Sequence, residues 1–284
     1  MIDKIKIIET PRDGMQGISR FIPTSRKIEY IKLLLQCGFD TVEVGSFVSP
    51  RAIPQMADTE EVIEHINWED SDSKIAVLVA NLRGGEKAVH FQGVDQLFYP
   101  FSLSSTFLGL NMNTTLASAE KTIDSLLDLS GKWSKELVVF LSLAFGNPYG
   151  DEWNIDLVYE WVEKLAGKGV RKIPFAETIG NVEPDRIYDV FRQIVPAFPQ
   201  IEFGFHTHTH PGMGIPKVDA AYRAGVRRFD TVMGGLGGCP MTGKEMVGNL
   251  SLEDLVAYCK QQQIDTGLKP EKLAKAERFP LLLG

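Results

Sequence analysis

His206 and His208 stand two residues apart at the end of an apolar run, 201–205, that reads as a strand. Side chains two apart in a strand share a face. The pair therefore presents two imidazoles side by side, a geometry suited to two ligands of one metal ion. Pro211-Gly212 breaks the pattern, and three of the chain's five histidines fall within 203–212. The same pair also suits two hydrogen-bonded histidines at a strand end. What separates the readings is whether other parts of the chain bring further ligands to the same place.

The elements that would do so repeat along the chain. Apolar strand patterns occur at 5–9, 41–44, 74–79, 95–99, 137–142, 172–176, 201–205 and 229–233. Helical patterns alternate with them at 24–38, from 58, and at 85–90, 115–133, 155–166, 185–195, 215–224 and 252–263. Ile28, Ile31, Leu34 and Leu35 show the helical spacing in the first, and Gly38 closes it. Pro and Gly mark 10–16 as a loop, and a long polar loop is expected from Ser102 past Ser105 to Asn113. Pro174 is an unusual residue for a central strand. Eight strand–helix alternations predict an α/β fold, a (β/α)8 TIM barrel. An open doubly wound sheet would want G-x-G-x-x-G after an early strand, and none is present. The chain reads as one domain, with 269–284 as a short C-terminal helix and tail outside the barrel.

Composition narrows the function. The 284 residues are 44% hydrophobic and 24% charged, with a net charge of −7. That balance argues against a nucleic-acid surface. No apolar run is long enough to span a bilayer, and the N-terminus lacks a signal-peptide pattern. Three cysteines, Cys37, Cys239 and Cys259, make no disulfide framework, so a cytoplasmic setting is expected.

Catalytic groups of such barrels lie at the C-terminal ends of strands. Those ends carry Arg12 and Asp13 after the first strand, Glu43 on the second and Glu177 on the sixth. His206 and His208 follow on the seventh, and Cys239 and Asn249 come after the eighth. Each alone has an ordinary structural role, as turn, ion pair or core thiol. Their coincidence at one mouth is the stronger signal.

These residues sit in motifs that resemble 3-hydroxy-3-methylglutaryl-CoA lyases. They are Glu9-Thr-Pro-Arg12-Asp13-Gly-Met-Gln16, Glu43-Val-Gly-Ser-Phe-Val-Ser-Pro50, Glu177-Thr178-Ile-Gly180, His206-Thr-His208 and Gly234-Gly-Leu-Gly-Gly-Cys239-Pro240 through Asn249. Arg-Asp-Gly and His-x-His are shared with metal-dependent barrel aldolases and Claisen condensing enzymes, and an aldolase or condensing activity is the alternative. A barrel that binds a ligand without catalysis is a second one. The resemblance implies a carbon–carbon lyase that cleaves a 3-hydroxy-3-methylglutaryl-CoA-like thioester to acetyl-CoA and acetoacetate. It implies a divalent cation, Mg2+ or Mn2+, held by Asp13, His206, His208 and Asn249. Arg12 would face the thioester oxygen, Glu43 would belong to the polar shell, and Gln16, Glu177 and Thr178 would touch substrate. His206 would serve as base and Cys239, on a Gly-rich loop, as acid. An acyl-CoA substrate and a homodimer are implied as partners.

Three features depart from the family pattern. Thr209 stands where an aspartate usually follows the second histidine. Glu177 replaces an aspartate, and the loop from Cys239 to Asn249 is one residue longer.

Overall fold

In a computed structural model, described over residues 3–210, 212–237 and 247–279, eight parallel strands close into a barrel in sequence order. The strands are β1 (Lys6–Glu9), β2 (Thr41–Ser46), β3 (Lys74–Leu78), β4 (Gln96–Ser102), β5 (Glu136–Ser142), β6 (Lys172–Glu177), β7 (Glu202–Thr207) and β8 (Arg228–Thr231). β1 closes the ring against β8, from Lys6 opposite Arg228 to Glu9 opposite Thr231. The (β/α)8 architecture is as the alternation of patterns predicts.

Helices follow the strands: α1 (Pro11–Gln16), α2 (Thr24–Leu34), α3 (Thr59–His65), α4 (Leu82–Ala88), α5 (Ser105–Met112), α6 (Leu116–Lys132), α7 (Ile155–Lys168), α8 (Pro184–Ala197), α9 (Gly214–Arg223), α10 (Leu252–Gln262) and α11 (Pro270–Glu277). Several start on a side chain that accepts an otherwise orphaned amide. Asn81 caps Gly84, Ser104 caps Phe107, Thr115 caps Ser118, Asn154 caps Leu157 and Ser251 caps Asp254. α11 lies against α2, with Tyr30 and Phe279 stacked at 5.8 Å between ring centres.

Strand alternation divides the core into two. One set of side chains points outward to the helices; there Phe145, Phe175, Phe191 and Phe205 pack edge to face and stacked. The other set fills the barrel interior, where Ile8, Ala76, Phe98 and Val138 form a separate buried cluster with Phe140 against it. Burying one such side chain contributes about 1.5–3 kcal/mol, so the interior is a packed plug that floors the mouth.

Two expected loops contain helices. α1 (Pro11–Gln16) occupies most of 10–16, begun by Pro11 at its first position. Its six residues are too few to show a helical period. α5 occupies 105–112, where Ser105, Thr106 and Asn111 hid the pattern. Pro174 does lie inside β6, paired with Gly204 of β7. On its other side the pairing with β5 passes from Lys172 directly to Phe175, so the missing proline N–H falls where that ladder lapses.

Candidate active site and metal centre

α1 turns the first strand end into a platform. Arg12 and Asp13 are adjacent on it and both buried. Arg12 Nη1 donates to Asp13 Oδ1 at 3.0 Å and to Gln16 Oε1, one turn on, at 2.8 Å. Arg12 Nη2 donates to both oxygens of Glu43 at 2.9 Å. The platform is held from behind by two glycines. A side chain on Gly14 would meet Val232 Cγ1 at 2.7 Å. One on Gly237, at φ +82°, would meet the Asp13 carbonyl at 2.4 Å. The Gly-rich segment after β8 thus packs directly on the backbone of the Arg-Asp pair.

β7 brings the histidines to Asp13. His206 and His208 Nε2 each lie 3.8 Å from Asp13 Oδ2. Candidate ligand atoms of Asp13, His206 and His208 all fall within 4.8 Å of one another. An antiparallel bridge sets Asn249 beside His208, and its Nδ2 donates to the Leu236 carbonyl at 2.9 Å, leaving Oδ1 over. Among the described residues, Asp13 Oδ2, His208 Nε2 and Asn249 Oδ1 are buried with no hydrogen-bond partner. Orphaned buried acceptors are costly, about 1–3 kcal/mol each, and a cation between them would satisfy all three. Two carboxylate or amide oxygens and two imidazoles suit a divalent ion.

The charges around this point oppose burial. Burial alone would raise the Asp13 carboxyl, but the Arg12 guanidinium and the two imidazoles hold it well below the usual carboxylate range. Burial pushes Glu43 up to about 7, outweighing the Arg12 fork, with the Asp13 and Asp230 charges adding to the rise. His206 is desolvated, which lowers it, yet Asp230 and Asp13 raise it above its ordinary value.

Asp230 was not visible in the strand-end reading. It is buried on β8, with Oδ2 3.4 Å from His206 Nδ1. A carboxylate behind a ligand imidazole fixes its tautomer and ring orientation. Behind Asp230 lies Arg228, buried in the barrel interior, with Nε 3.6 Å from Asp230 Oδ1 and its guanidinium over the Phe98 ring at 5.5 Å. Gly204 makes the room, since a side chain there would touch Arg228 Cδ at 3.0 Å. The only sequence signal was a pair of charges at alternate positions of an apolar strand.

A cavity of about 230 Å³ opens on these groups. Arg12, Asp13, Gln16, Glu43, Thr178, His206 and His208 all line it. Its remaining wall is mostly apolar, including Val48, Ile53, Leu78, Phe107, Met112 and Phe140. Thr178 Oγ1 is buried without a partner among the described residues, so it is available to a ligand. Cys239 falls outside the described residues.

Glu177 is brought to the same strand end but does not line the cavity. Its Oε2 accepts from Lys217 Nζ at 2.8 Å and Thr207 Oγ1 at 3.0 Å, and its Oε1 from the Gly180 amide at 2.7 Å. Lys217 also donates to the Gly180 carbonyl at 2.9 Å. This buried pair fixes the loop after β6, whose Thr178 carbonyl lies 2.8 Å from His208 Nδ1. The loop carbonyl thus orients His208 in a chain where Thr209 stands in the usual aspartate position. Lys217→Met strands a buried carboxylate and is expected to cost about 3–5 kcal/mol, read from urea unfolding. Adding Glu177→Leu should recover part of it. A single mutant as stable as the wild type would contradict the clamp.

Comparison with known proteins places the whole chain. The HMGL-like family model matches residues 4–279. The mitochondrial hydroxymethylglutaryl-CoA lyase of Rattus norvegicus is 31% identical over 97% of this chain and 84% of its own. A hydroxymethylglutaryl-CoA lyase of Bacillus subtilis is 31% identical over 97% of this chain and 92% of its own. An HMG-CoA lyase structure from Acinetobacter baumannii, in complex with coenzyme A and 3-methylmalate, superposes with TM-score 0.89 at 32% identity, covering 97% of this chain and 90% of that one. The Pseudomonas aeruginosa hydroxymethylglutaryl-CoA lyase structure superposes with TM-score 0.91 at 28% identity, covering 100% and 94%. With the barrel, the Arg12–Asp13 platform and the strand-seven histidines in place, this chain belongs to the HMGL-like family of lyases.

Proposed function

We propose that this chain cleaves 3-hydroxy-3-methylglutaryl-CoA, or a thioester closely like it, to acetyl-CoA and acetoacetate. The observation that carries the reading is the set of orphaned buried atoms, Asp13 Oδ2, His208 Nε2 and Asn249 Oδ1, beside a fixed guanidinium at an apolar cavity. Asp13, His206, His208 and Asn249 would hold Mg2+ or Mn2+. That cation would lower the pKa of the substrate's tertiary hydroxyl and orient it.

The protein's own groups supply the rest. The reaction removes the hydroxyl proton, breaks the adjacent carbon–carbon bond to give a ketone, and leaves a thioester enolate that takes a proton on carbon. His206 cannot both ligate through Nε2 and accept that proton while Asp230 faces its Nδ1 at 3.4 Å. Glu43, raised to about 7, is poised to take it instead. Arg12, locked by Glu43, Asp13 and Gln16, would offer the developing enolate oxygen a positive charge fixed in place. Cys239 is assigned the enolate proton. The other thiols suit this poorly: Cys37 and Cys259 are buried, which pushes them up to about 12 and about 11.

The test is product analysis. Incubation of the enzyme and Mn2+ with 3-hydroxy-3-methylglutaryl-CoA should release acetyl-CoA and acetoacetate in equal amounts. Cleavage of a 4-hydroxy-2-oxo acid instead, with the thioester untouched, would favour the aldolase alternative.

A further inference from the structure

Arg228 is among the largest side chains that the barrel buries fully, and no step of the proposed cleavage uses it. It sits against the apolar plug, with its guanidinium 5.5 Å from the centre of the Phe98 ring and 5.9 Å from that of Phe140. Burying a guanidinium there opposes folding, and an apolar side chain of similar volume would fill the same space. Such a charge is worth its burial only if something beside it needs a cation.

Two carboxylates face it. Glu202, at the foot of β7, lies 3.9 Å from Nη1. Glu202 is partly exposed and already pairs with Lys6, and with Lys172 at 3.8 Å. Asp230 is placed differently. Its side chain is fully buried, and among the described residues Arg228 is the one lysine or arginine paired with it, Nε to Oδ1 at 3.6 Å. The other oxygen, Oδ2, faces His206 Nδ1 at 3.4 Å.

The two oxygens of Asp230 are thus divided between a guanidinium and an imidazole. Residues 228 and 230 share one face of β8, opposite Lys6 and Ile8 of β1, so the guanidinium lies one step deeper in the barrel than the carboxylate. Neither Asp230 oxygen has a hydrogen-bond partner among the described residues, so its orientation rests on those two contacts. Phe140 makes a second link, since it touches Arg228 and meets the His206 ring edge to face at 6.0 Å between centres.

We propose that Arg228 is a positioning residue of the metal centre: from the barrel interior it holds Asp230 Oδ1, so that Oδ2 keeps His206 turned with Nε2 toward the other ligands. The proposal rests on the metal reading above and on no particular substrate. A carboxylate behind a ligand imidazole sets metal affinity, so loss of Arg228 should be felt at the metal through Asp230.

Mn2+ titration followed by paramagnetic resonance tests this without turnover. Arg228→Met should weaken Mn2+ on the order of tenfold. Arg228→Lys should recover most of the affinity, because one charge beside one oxygen is needed here and not a fork. If Arg228 acts through Asp230, the two losses do not add. In an Asp230→Asn background, Arg228→Met should change Mn2+ affinity by less than about twofold. Glu202→Gln, which removes the other carboxylate facing Arg228, should leave the affinity within about twofold. Saturating Mn2+ should restore kcat in Arg228→Met with KM for the thioester unmoved, which a general loss of packing would not allow. Unchanged Mn2+ affinity in Arg228→Met, or a further loss of about tenfold on adding it to Asp230→Asn, would overturn the proposal. The second comparison stands even where the single variant unfolds, because the double variant strands no charge in the interior. A protein that shows the expected pattern with Mn2+ yet cleaves no thioester would sink the lyase reading and leave the role of Arg228 standing.

Discussion

Arg12→Lys is expected to lower kcat nearly as far as Arg12→Met, on the order of 100- to 1,000-fold. Nη2 spans both Glu43 oxygens at 2.9 Å while Nη1 reaches Asp13 and Gln16. A lysine ammonium is a single mobile charge and cannot fill that fork. Its loss also leaves Glu43 buried without its main counter-charge. Burial already pushes that carboxyl up to about 7, and removing Arg12 takes away the charge that opposes the rise. The loss should fall on kcat much more than on KM, because the enolate charge develops only as the bond breaks. Steady-state kinetics of both variants, with unfolding curves to check the fold, measure it. A normal kcat with a raised KM would reassign Arg12 to substrate binding.

Asp13→Ala and His208→Ala should each lose bound metal and activity together. Their ligand atoms are buried, converge from α1 and from the end of β7, and have no other partner among the described residues. Arg12 and the imidazoles hold the Asp13 carboxyl well below the usual carboxylate range. His206 is raised, so protons compete with the cation at that ligand. In the wild type, Mn2+ affinity should therefore fall as the pH drops through the His206 titration and recover above it. Asp230→Asn, which removes the carboxylate facing His206 Nδ1, should weaken Mn2+ by about 10- to 100-fold. Mn2+ titration followed by paramagnetic resonance reads all of these without turnover. Tight stoichiometric Mn2+ in Asp13→Ala would contradict the assigned ligands.

Much of this was legible in the sequence because each signal was local. The eight strands announced themselves by apolar runs, and His206 and His208 by the two-residue period of a strand. Arg12, Asp13 and Asn249 gained meaning only from their places at strand ends. What stayed hidden depends on contacts between distant segments. Asp230 and Arg228 look like ordinary charges on a short strand until β7 sets His206 beside one and Gly204 beside the other. Glu177 reads as a substrate ligand by its position, yet Lys217, forty residues later in the chain, draws it into a clamp. α1 and α5 escaped because six and eight residues carry too little periodicity.

Under the proposed function, a divalent cation held by Asp13, His206, His208 and Asn249 is required to cleave a 3-hydroxy-3-methylglutaryl-CoA-like thioester. The direct measurement is acetyl-CoA release by enzyme stripped with chelator and then titrated with Mn2+. Activity should be absent in the stripped enzyme and saturate at one equivalent per chain, while Asp13→Ala stays inactive throughout. Undiminished release by the stripped enzyme, or by Asp13→Ala, would contradict it.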